Sequence, residues 1–312
     1  MNFDQALSLA KLGLKDAPDL NEEVGIEREG EELVIAAYRK ATGRGRTFSR
    51  NDLYMRAMES FPEKALSILK QYLERRVGGE PLAYIVGYRF FLNHEYFINK
   101  NVLVPRFETE ILVFEAYQWL RRRGLGQSRG LEIGLGSGIV SLELLKLIPD
   151  LKMHATEASS EAIECAMKNR SMLLGESEQD RLHLEKVEPL PAPLVSSDFE
   201  RKLGLVDFII SNPPYLANES EAMRNVIEFE PSLALFPKTG EPNIFYTEIL
   251  KLAARVLQPK GFVFLELPHE RASKIESLFS GTFKTHLVND LTGRPRVLVA
   301  ELNGYEGDRN VH

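Results

Sequence analysis

The residues best suited to chemistry form the tetrapeptide Asn212-Pro213-Pro214-Tyr215, which directly follows an apolar run over residues 206–211. A planar amide or amino nitrogen is a poor nucleophile because its lone pair is delocalised. The side-chain carbonyl of Asn212 and the main-chain carbonyl of Pro213 could each accept one hydrogen of such a nitrogen. That would orient the nitrogen toward a sulfonium methyl group and stabilise its developing positive charge. With Tyr215 packed on the flat face of the group, the tetrapeptide is suited to methyl transfer to a planar nitrogen, without a metal. Taken alone it would be a plain strand-to-loop turn, but the glycine loop and Glu157 of the same chain favour the chemical interpretation.

A glycine-rich loop over residues 134–138 stands between an apolar strand and a helix. Glycines let such a loop turn tightly and let a ligand approach the backbone, and the helix start offers free N–H groups to a carboxylate. Ile139 stands where a dinucleotide fingerprint needs its third glycine, and no Gly-Lys-Ser/Thr follows as in a P-loop. The Gly-x-Gly-x-Gly spacing with Glu132 before it resembles motif I of the Rossmann-like methyltransferases. A purely structural β–α turn is the alternative.

Two acidic residues are placed to complete a cofactor site. Glu157 ends the second predicted strand, where a carboxylate can accept hydrogen bonds from both hydroxyls of a ribose. Glu188 follows the third predicted strand and could face an adenine edge, although a surface glutamate fits that position equally well. The predicted cofactor-binding residues are Glu132, Gly134, Leu135, Gly136, Ser137, Gly138, Glu157, Glu188 and Asn212.

The elements that must position these motifs alternate between strand and helix from residue 129 onward. This alternation predicts an α/β fold with a mostly parallel, doubly wound sheet. Ligands bind beyond the carboxyl ends of the strands in such sheets, so the tetrapeptide and the glycine loop should face one crevice. Pro213 keeps Asn212 out of helical backbone angles, which makes the turn stiff. Strands are predicted over 130–133, 152–156, 183–187, 206–211, 261–267 and 296–301.

The first part of the chain has a different pattern of apolar residues. Apolar residues recur at helical spacing up to about residue 80, and the segment 84–104 then turns to aromatic and β-branched residues around a turn near Asn93-His94. The predicted domains are a helical domain over 1–82, a β-hairpin linker over 83–105, a catalytic domain over 106–304 and a tail over 305–312.

Composition narrows the possible classes of protein. The chain has 312 residues, which favours two domains, and its single cysteine excludes an internal disulfide or a Cys-cluster zinc site. The six histidines form no metal-binding spacing, so no metal is expected. The 39 Lys and Arg against 45 Asp and Glu give a net charge of −6, which provides no global attraction to nucleic acid. The lack of a membrane-length apolar run or a signal-peptide pattern predicts a cytoplasmic protein.

Residues 79–113 resemble the linker of the release-factor glutamine methyltransferases, the HemK-type family. The family's Pro-Arg-Pro-Glu-Thr-Glu stands here as residues 105–110, with Phe107 in place of a proline. The segments Phe-Glu-Pro at 229–231 and Asp-Leu-Thr-Gly at 290–293 match further family signatures. The segment 268–271 departs from the family pattern. The resemblance covers nearly the whole chain.

The resemblance implies a Rossmann-like class I methyltransferase domain preceded by a small all-helical domain and a β-hairpin linker. It implies transfer of methyl from S-adenosylmethionine to the side-chain amide nitrogen of the glutamine in the Gly-Gly-Gln loop of peptide-chain release factors. The tetrapeptide would surround the glutamine, and the helical domain would help to hold the protein substrate. Nucleic-acid N-methyltransferases share Asn-Pro-Pro-Tyr, so methylation of RNA or DNA amino groups is an alternative, as is a non-catalytic S-adenosylmethionine-binding adaptor.

Overall fold

The computed structural model describes residues 1–18, 20, 25–124 and 128–303. The predicted tail over 305–312 lies outside the described residues. The α-helices of the described residues are α1 (Phe3–Gly13), α2 (Gly25–Thr42), α3 (Arg50–Met55), α4 (Glu63–Val77), α5 (Leu82–Val86), α6 (Phe107–Arg122), α7 (Ile139–Leu147), α8 (Ser160–Leu173), α9 (Ser197–Leu203), α10 (Arg224–Phe229), α11 (Ser232–Leu235), α12 (Ile244–Val256) and α13 (Ala272–Phe279).

The strands of the described residues are β1 (Tyr88–Phe91), β2 (His94–Phe97), β3 (Arg129–Ile133), β4 (Lys152–Glu157), β5 (Leu182–Lys186), β6 (Val206–Ser211), β7 (Leu257–Glu266), β8 (Phe283–Asn289) and β9 (Pro295–Leu302). Short 3₁₀ helices lie at Leu14–Asp16, Gly45–Thr47, Glu176–Arg181, Glu219–Glu221 and His269–Arg271. The described residues form two compact units: those within 1–88 together with 223–229, and those within 89–222 together with 230–303.

The first unit is helical and contains α1 to α5 and α10. Two of its helices begin with side-chain caps that the sequence provides: Asn2 caps α1 in a capping box with Gln5, and Ser49 caps α3 in one with Asp52. Its core is rich in contacting aromatic rings, namely Phe3, Tyr38, Phe48 and Phe61. The sequence predicted this helical character from spacing alone.

The second unit is built on a seven-stranded sheet in the order β5-β4-β3-β6-β7-β9-β8. Strands β3 to β7 pair in parallel, and β9 pairs antiparallel with both β7 and β8. The chain runs outward from β3 through β4 to β5, and then returns to β6 on the other side of β3. The strand order therefore reverses between β3 and β6, and a crevice opens at that point beyond the carboxyl ends of both strands.

The predicted α/β class and its mostly parallel sheet are confirmed, and each predicted strand has its counterpart. One strand was missed: β8 forms an antiparallel edge, and along it only Phe283 is buried. The hairpin is present as the two-stranded sheet of β1 and β2, but residues 82–86 before it form α5, where the sequence predicted the hairpin segment to begin. The domain boundaries 82/83 and 105/106 stay predictions.

Gly130 in β3 lies where the packing of the sheet leaves no room for a side chain. A Cβ at this position of β3 would lie 2.3 Å from Cζ of Phe208 and 2.6 Å from Sδ of Met153, which belong to the neighbouring strands β6 and β4. We expect Gly130→Ala to lower the free energy of unfolding by about 1–3 kcal/mol, as overpacked cores do. Urea denaturation would measure the change.

Gly281→Ala is the matched control, because a Cβ there meets no heavy atom within 4 Å. Equal denaturation midpoints for the two variants would contradict this account of the sheet.

No α-helix within the described ranges is long and apolar enough to cross a membrane.

Candidate active site

A cavity lies at the crevice between β3 and β6, beyond the carboxyl ends of the parallel strands. Most residues predicted from the sequence to act on a ligand line it: Glu132, Gly134, Leu135, Gly136, Ser137, Glu157, Glu188, Asn212 and Pro214. Gly138, Pro213 and Tyr215 are not part of its lining. The structure thus brings the two sequence motifs to one site, although they are separated by about 75 residues in the chain.

The glycine loop has left-handed backbone angles at Gly134, Gly136 and Gly138, with φ of 79°, 54° and 81°. The amides of Gly134 and Leu135 donate to the carbonyl oxygen of Thr156 at 2.9 and 3.0 Å, which ties the loop to the end of β4. A Cβ at Gly134 or Gly136 would meet no heavy atom within 4 Å. Both positions therefore keep their backbone open to the cavity.

Gly138 also has a packing role, and its predicted contact with the cofactor stays a prediction. A Cβ at this position would lie 3.2 Å from Cβ of Ala166 and 3.2 Å from Cδ1 of Leu142. The glycine lets the start of α7 approach α8 closely. Helix α8 also fixes the neighbouring residue Ser137, because Nδ2 of Asn169 in α8 donates a hydrogen bond to the carbonyl oxygen of Ser137 at 2.9 Å.

Glu157 already makes three hydrogen bonds to backbone amides. Its Oε2 accepts from Gly136 at 2.8 Å, and its Oε1 accepts from Ala158 and Ser159 at 2.8 and 2.9 Å. An ionised carboxylate offers about four acceptor positions. One position therefore remains for a ligand hydroxyl, and accepting from two hydroxyls would require an exchange of one backbone hydrogen bond.

Glu132 is directed at helix α7. It is buried, and Oε2 accepts hydrogen bonds from both the amide and the hydroxyl of Ser141. Burial raises the pKa of this carboxyl to about 8, against the opposing effect of the hydrogen bonds from Ser141. Glu132 therefore carries a proton through much of the neutral range and braces the first turn of α7 behind the glycine loop.

Asn212 is anchored by Thr109, which lies in the family segment 105–110, and through it by Glu266, but the sequence did not predict these contacts. Its Nδ2 donates to Oγ1 of Thr109 at 3.2 Å, and the Thr109 hydroxyl donates to Oε2 of Glu266 at 2.7 Å. Thr109 and Glu266 are buried, and burial raises the pKa of Glu266 to about 7. Since the donor end of the carboxamide is bound to the protein, its carbonyl oxygen is left for a ligand.

Tyr215, the last residue of the tetrapeptide, is fixed by Arg271 and by the hydrophobic core. The main-chain oxygen of Tyr215 accepts a hydrogen bond from the guanidinium of Arg271, and the Tyr215 ring packs against the hydrophobic core of the sheet. Burial, reinforced by the charge of Glu266, raises the pKa of the Tyr215 hydroxyl well above its usual range. Tyr215 is therefore neutral at any physiological pH.

Segments flanking the cavity are joined by Glu230. Its Oε2 accepts from the amide of Val104 at 3.0 Å, and its Oε1 accepts from the Arg106 guanidinium at 2.6 Å. The carboxylate is buried, so the ion pair orders the chain just before α6. Glu230 belongs to the Phe-Glu-Pro segment that the sequence analysis identified. Nothing in the sequence indicated the role of Asn169, whose side chain binds the main chain of Ser137.

The cavity fits S-adenosylmethionine by the chemistry of its lining. The amides of Gly134 and Gly136 already donate to Thr156 and Glu157, but without side chains the open glycine backbone lets the methionine part of the cofactor approach closely. The Glu157 carboxylate suits a hydroxyl, and the remaining wall near Glu188 is apolar, as a planar base requires; it includes Val187, Leu190 and Leu194.

Two family profiles match the chain. The profile described as PrmC N-terminal domain matches residues 36–87, and the profile described as Methyltransferase small domain matches residues 117–232. The second match contains both the glycine loop and the Asn-Pro-Pro-Tyr turn.

Comparison with individual proteins also finds methyltransferases. The release factor glutamine methyltransferase of Flavobacterium psychrophilum is 32% identical over 241 residues, covering 74% of this chain and 78% of that protein. The release factor glutamine methyltransferase of Bacillus cereus is 27% identical over 296 residues, covering 93% of this chain and 98% of that protein. A bifunctional methyltransferase of Rickettsia prowazekii is 31% identical over 269 residues, which are 79% of this chain and 49% of that protein. The chain thus spans about half the length of the bifunctional methyltransferases that it matches.

Proposed function

This chain belongs to the family of release factor glutamine methyltransferases, which use S-adenosylmethionine, and we propose that it methylates the glutamine side chain in the Gly-Gly-Gln loop of a peptide-chain release factor. The observation that carries this proposal is the arrangement of Asn212. Its amide nitrogen is bound by Thr109, and its carbonyl end is available at the cavity that the glycine loop lines. A glutamine side chain presents the planar NH₂ group that such an acceptor orients.

The cofactor is held by the glycine loop and the strand ends. Gly134 and Gly136 present backbone to the methionine part, with Leu135, Ser137 and the Glu132 carboxyl supporting the loop. Glu157 would accept a hydrogen bond from a ribose hydroxyl, and Glu188, on the cavity wall, would face the adenine edge. Gly138 completes the loop, and it also allows the close contact of α7 with α8.

The residues around Asn212 supply orientation and charge stabilisation. When bound, S-adenosylmethionine supplies a methyl group whose bond to sulfur breaks, with its electron pair left on sulfur, as the new carbon–nitrogen bond forms. Oδ1 of Asn212 and the main-chain oxygen of Pro213 accept the two amide hydrogens, and they stabilise the positive charge that grows on nitrogen. Pro214 and Tyr215 shape the turn around the amide. The surplus proton leaves to water after transfer, so no strong base is needed.

The protein substrate is held by more than the turn. We assign the helical unit to substrate binding, and we place the enzyme with its substrate in the cytoplasm. No direct nucleic-acid contact is required, because the acceptor is a protein side chain and the chain carries a net charge of −6.

A transfer assay with labelled S-adenosylmethionine tests the proposal. The substrates are a release factor from the same cell, the same factor with its Gly-Gly-Gln glutamine changed to alanine, and total RNA. The proposal predicts label on the intact factor alone. Label on RNA would replace it with nucleic-acid methylation. If calorimetry shows that the cofactor binds but no label is transferred, the protein is an adaptor.

A further inference from the structure

We propose that Thr109 and Glu266 are positioning residues, which determine which end of the Asn212 carboxamide faces the substrate. The inference rests on the proposed function, because it concerns how the glutamine amide is received. The two ends of a carboxamide are nearly identical in shape, so packing alone does not choose between them. Only hydrogen bonding distinguishes the oxygen from the nitrogen.

The three side chains come together from distant parts of the second unit. Thr109 lies in the first turn of α6, Glu266 is the last residue of β7, and Asn212 directly follows β6. Strands β6 and β7 are parallel neighbours, with Ser211 opposite Leu265, so Asn212 and Glu266 lie side by side at the edge of the sheet. The Thr109 hydroxyl lies between them, 3.2 Å from Nδ2 of Asn212 and 2.7 Å from Oε2 of Glu266.

The single hydroxyl proton of Thr109 decides the orientation. An ionised Glu266 can only accept, so it takes that proton and leaves the Thr109 oxygen as an acceptor. That oxygen can then pair only with the NH₂ end of Asn212, which turns Oδ1 toward the substrate. The substrate amide meets an acceptor.

A protonated Glu266 allows the opposite arrangement. It can donate to Thr109, which can then donate to Oδ1 of Asn212. The carboxamide would turn, and its NH₂ group would oppose the NH₂ group of the substrate. Protonation of Glu266 is therefore expected to suppress methyl transfer without occupying the cavity.

The surroundings of Glu266 place this titration near neutral pH. Burial raises its pKa to about 7, with a contribution from the charge of Glu108, while the Thr109 hydrogen bond and two guanidinium groups act in the opposite direction. The groups that face it are Glu108, Arg106, Arg296, Tyr215 and Tyr246. Activity should therefore rise with pH through about 7, because the ionised form is the productive one.

The first test uses a matched pair of variants at position 109. Thr109→Val keeps the shape and removes the hydroxyl, whereas Thr109→Ser keeps the hydroxyl. We expect the valine variant to lose about 10- to 100-fold in kcat on the release factor, and the serine variant to stay within about threefold of wild type. The dissociation constant of S-adenosylmethionine, measured by calorimetry, should be unchanged in both. Equal kcat for wild type and the valine variant, or an equal loss in both variants, would overturn the inference.

The second test uses Glu266→Gln, whose side-chain oxygen can accept from Thr109 but cannot ionise. Wild-type kcat should fall about tenfold per pH unit below pH about 7, and the glutamine variant should lose this dependence. An unchanged acidic limb in the glutamine variant would overturn the role of Glu266.

A readout without substrate separates this inference from the proposed function. Hydrogen exchange of the Asn212 side-chain amide, followed by NMR, should be slower in wild type and Thr109→Ser than in Thr109→Val. Equal exchange in all of them would overturn the anchoring itself. Absence of methyl transfer by the wild-type protein would instead overturn the proposed function, and the positioning role with it.

Discussion

Asn212→Ala is expected to lower kcat/KM for the release factor by about 10³-fold or more. Removal of a single preorganised hydrogen-bonding group that stabilises transition-state charge costs about 10²–10³-fold, and Asn212 also orients the nitrogen. The main-chain oxygen of Pro213 would remain but could hold only one hydrogen. Cofactor binding should stay largely intact even though Asn212 lines the cavity, because the glycine loop and Glu157 keep their contacts. Single-turnover transfer and calorimetry would measure the two quantities.

Asn218→Ala is the matched control for this variant. It makes the same truncation on an exposed side chain of the same loop, where Asn218 only caps the short helix Glu219–Glu221. The control should retain wild-type turnover. An equal loss of methyl transfer and cofactor affinity in Asn212→Ala would contradict the role assigned to Asn212.

Gly136→Val is expected to weaken S-adenosylmethionine binding by about 100-fold or more. The φ of 54° costs an L-residue about 1–2 kcal/mol, and a β-branched side chain tolerates it least. The new side chain would also project into the open space of the cavity lining, and relaxation of the loop would break the hydrogen bond from Gly136 to Glu157. Titration calorimetry would measure the dissociation constant.

Gly124→Val separates backbone strain from the loss of the site. Gly124 has a φ of 65° and no heavy atom within 4 Å of an added Cβ, and it follows the last turn of α6, on the amino-terminal side of β3. We expect both variants to lose stability, and only Gly136→Val to lose the cofactor. An equal loss of cofactor affinity in both would show that strain alone explains the effect.

The parts of the site that the sequence predicted are those whose constraints are local. Three glycines within five residues allow left-handed backbone angles that other residues avoid, and two consecutive prolines fix their own φ, so both turns were predictable without contacts. The alternation of strands and helices then placed both turns at one edge of the sheet. The family resemblance added the substrate, which no residue pattern specifies.

The anchoring of Asn212 could not be predicted in this way. Its contact with Thr109 spans 103 residues, and the contact of Thr109 with Glu266 spans 157. A threonine in the first turn of a helix and a glutamate at a strand end are each ordinary surface features until the fold buries them. Strand β8 was missed for a related reason: it lies at the edge of the sheet and buries only Phe283, so it lacks the continuous apolar run of the inner strands.

The most direct test is to locate the methyl group on the product. A release factor methylated by the wild-type protein would be digested and analysed by tandem mass spectrometry, beside the same factor treated with Asn212→Ala. We predict one added methyl group on the side-chain nitrogen of the Gly-Gly-Gln glutamine, present with wild type and absent with the variant. A methyl group on another residue, or on the same glutamine after treatment with Asn212→Ala, would contradict the central claim.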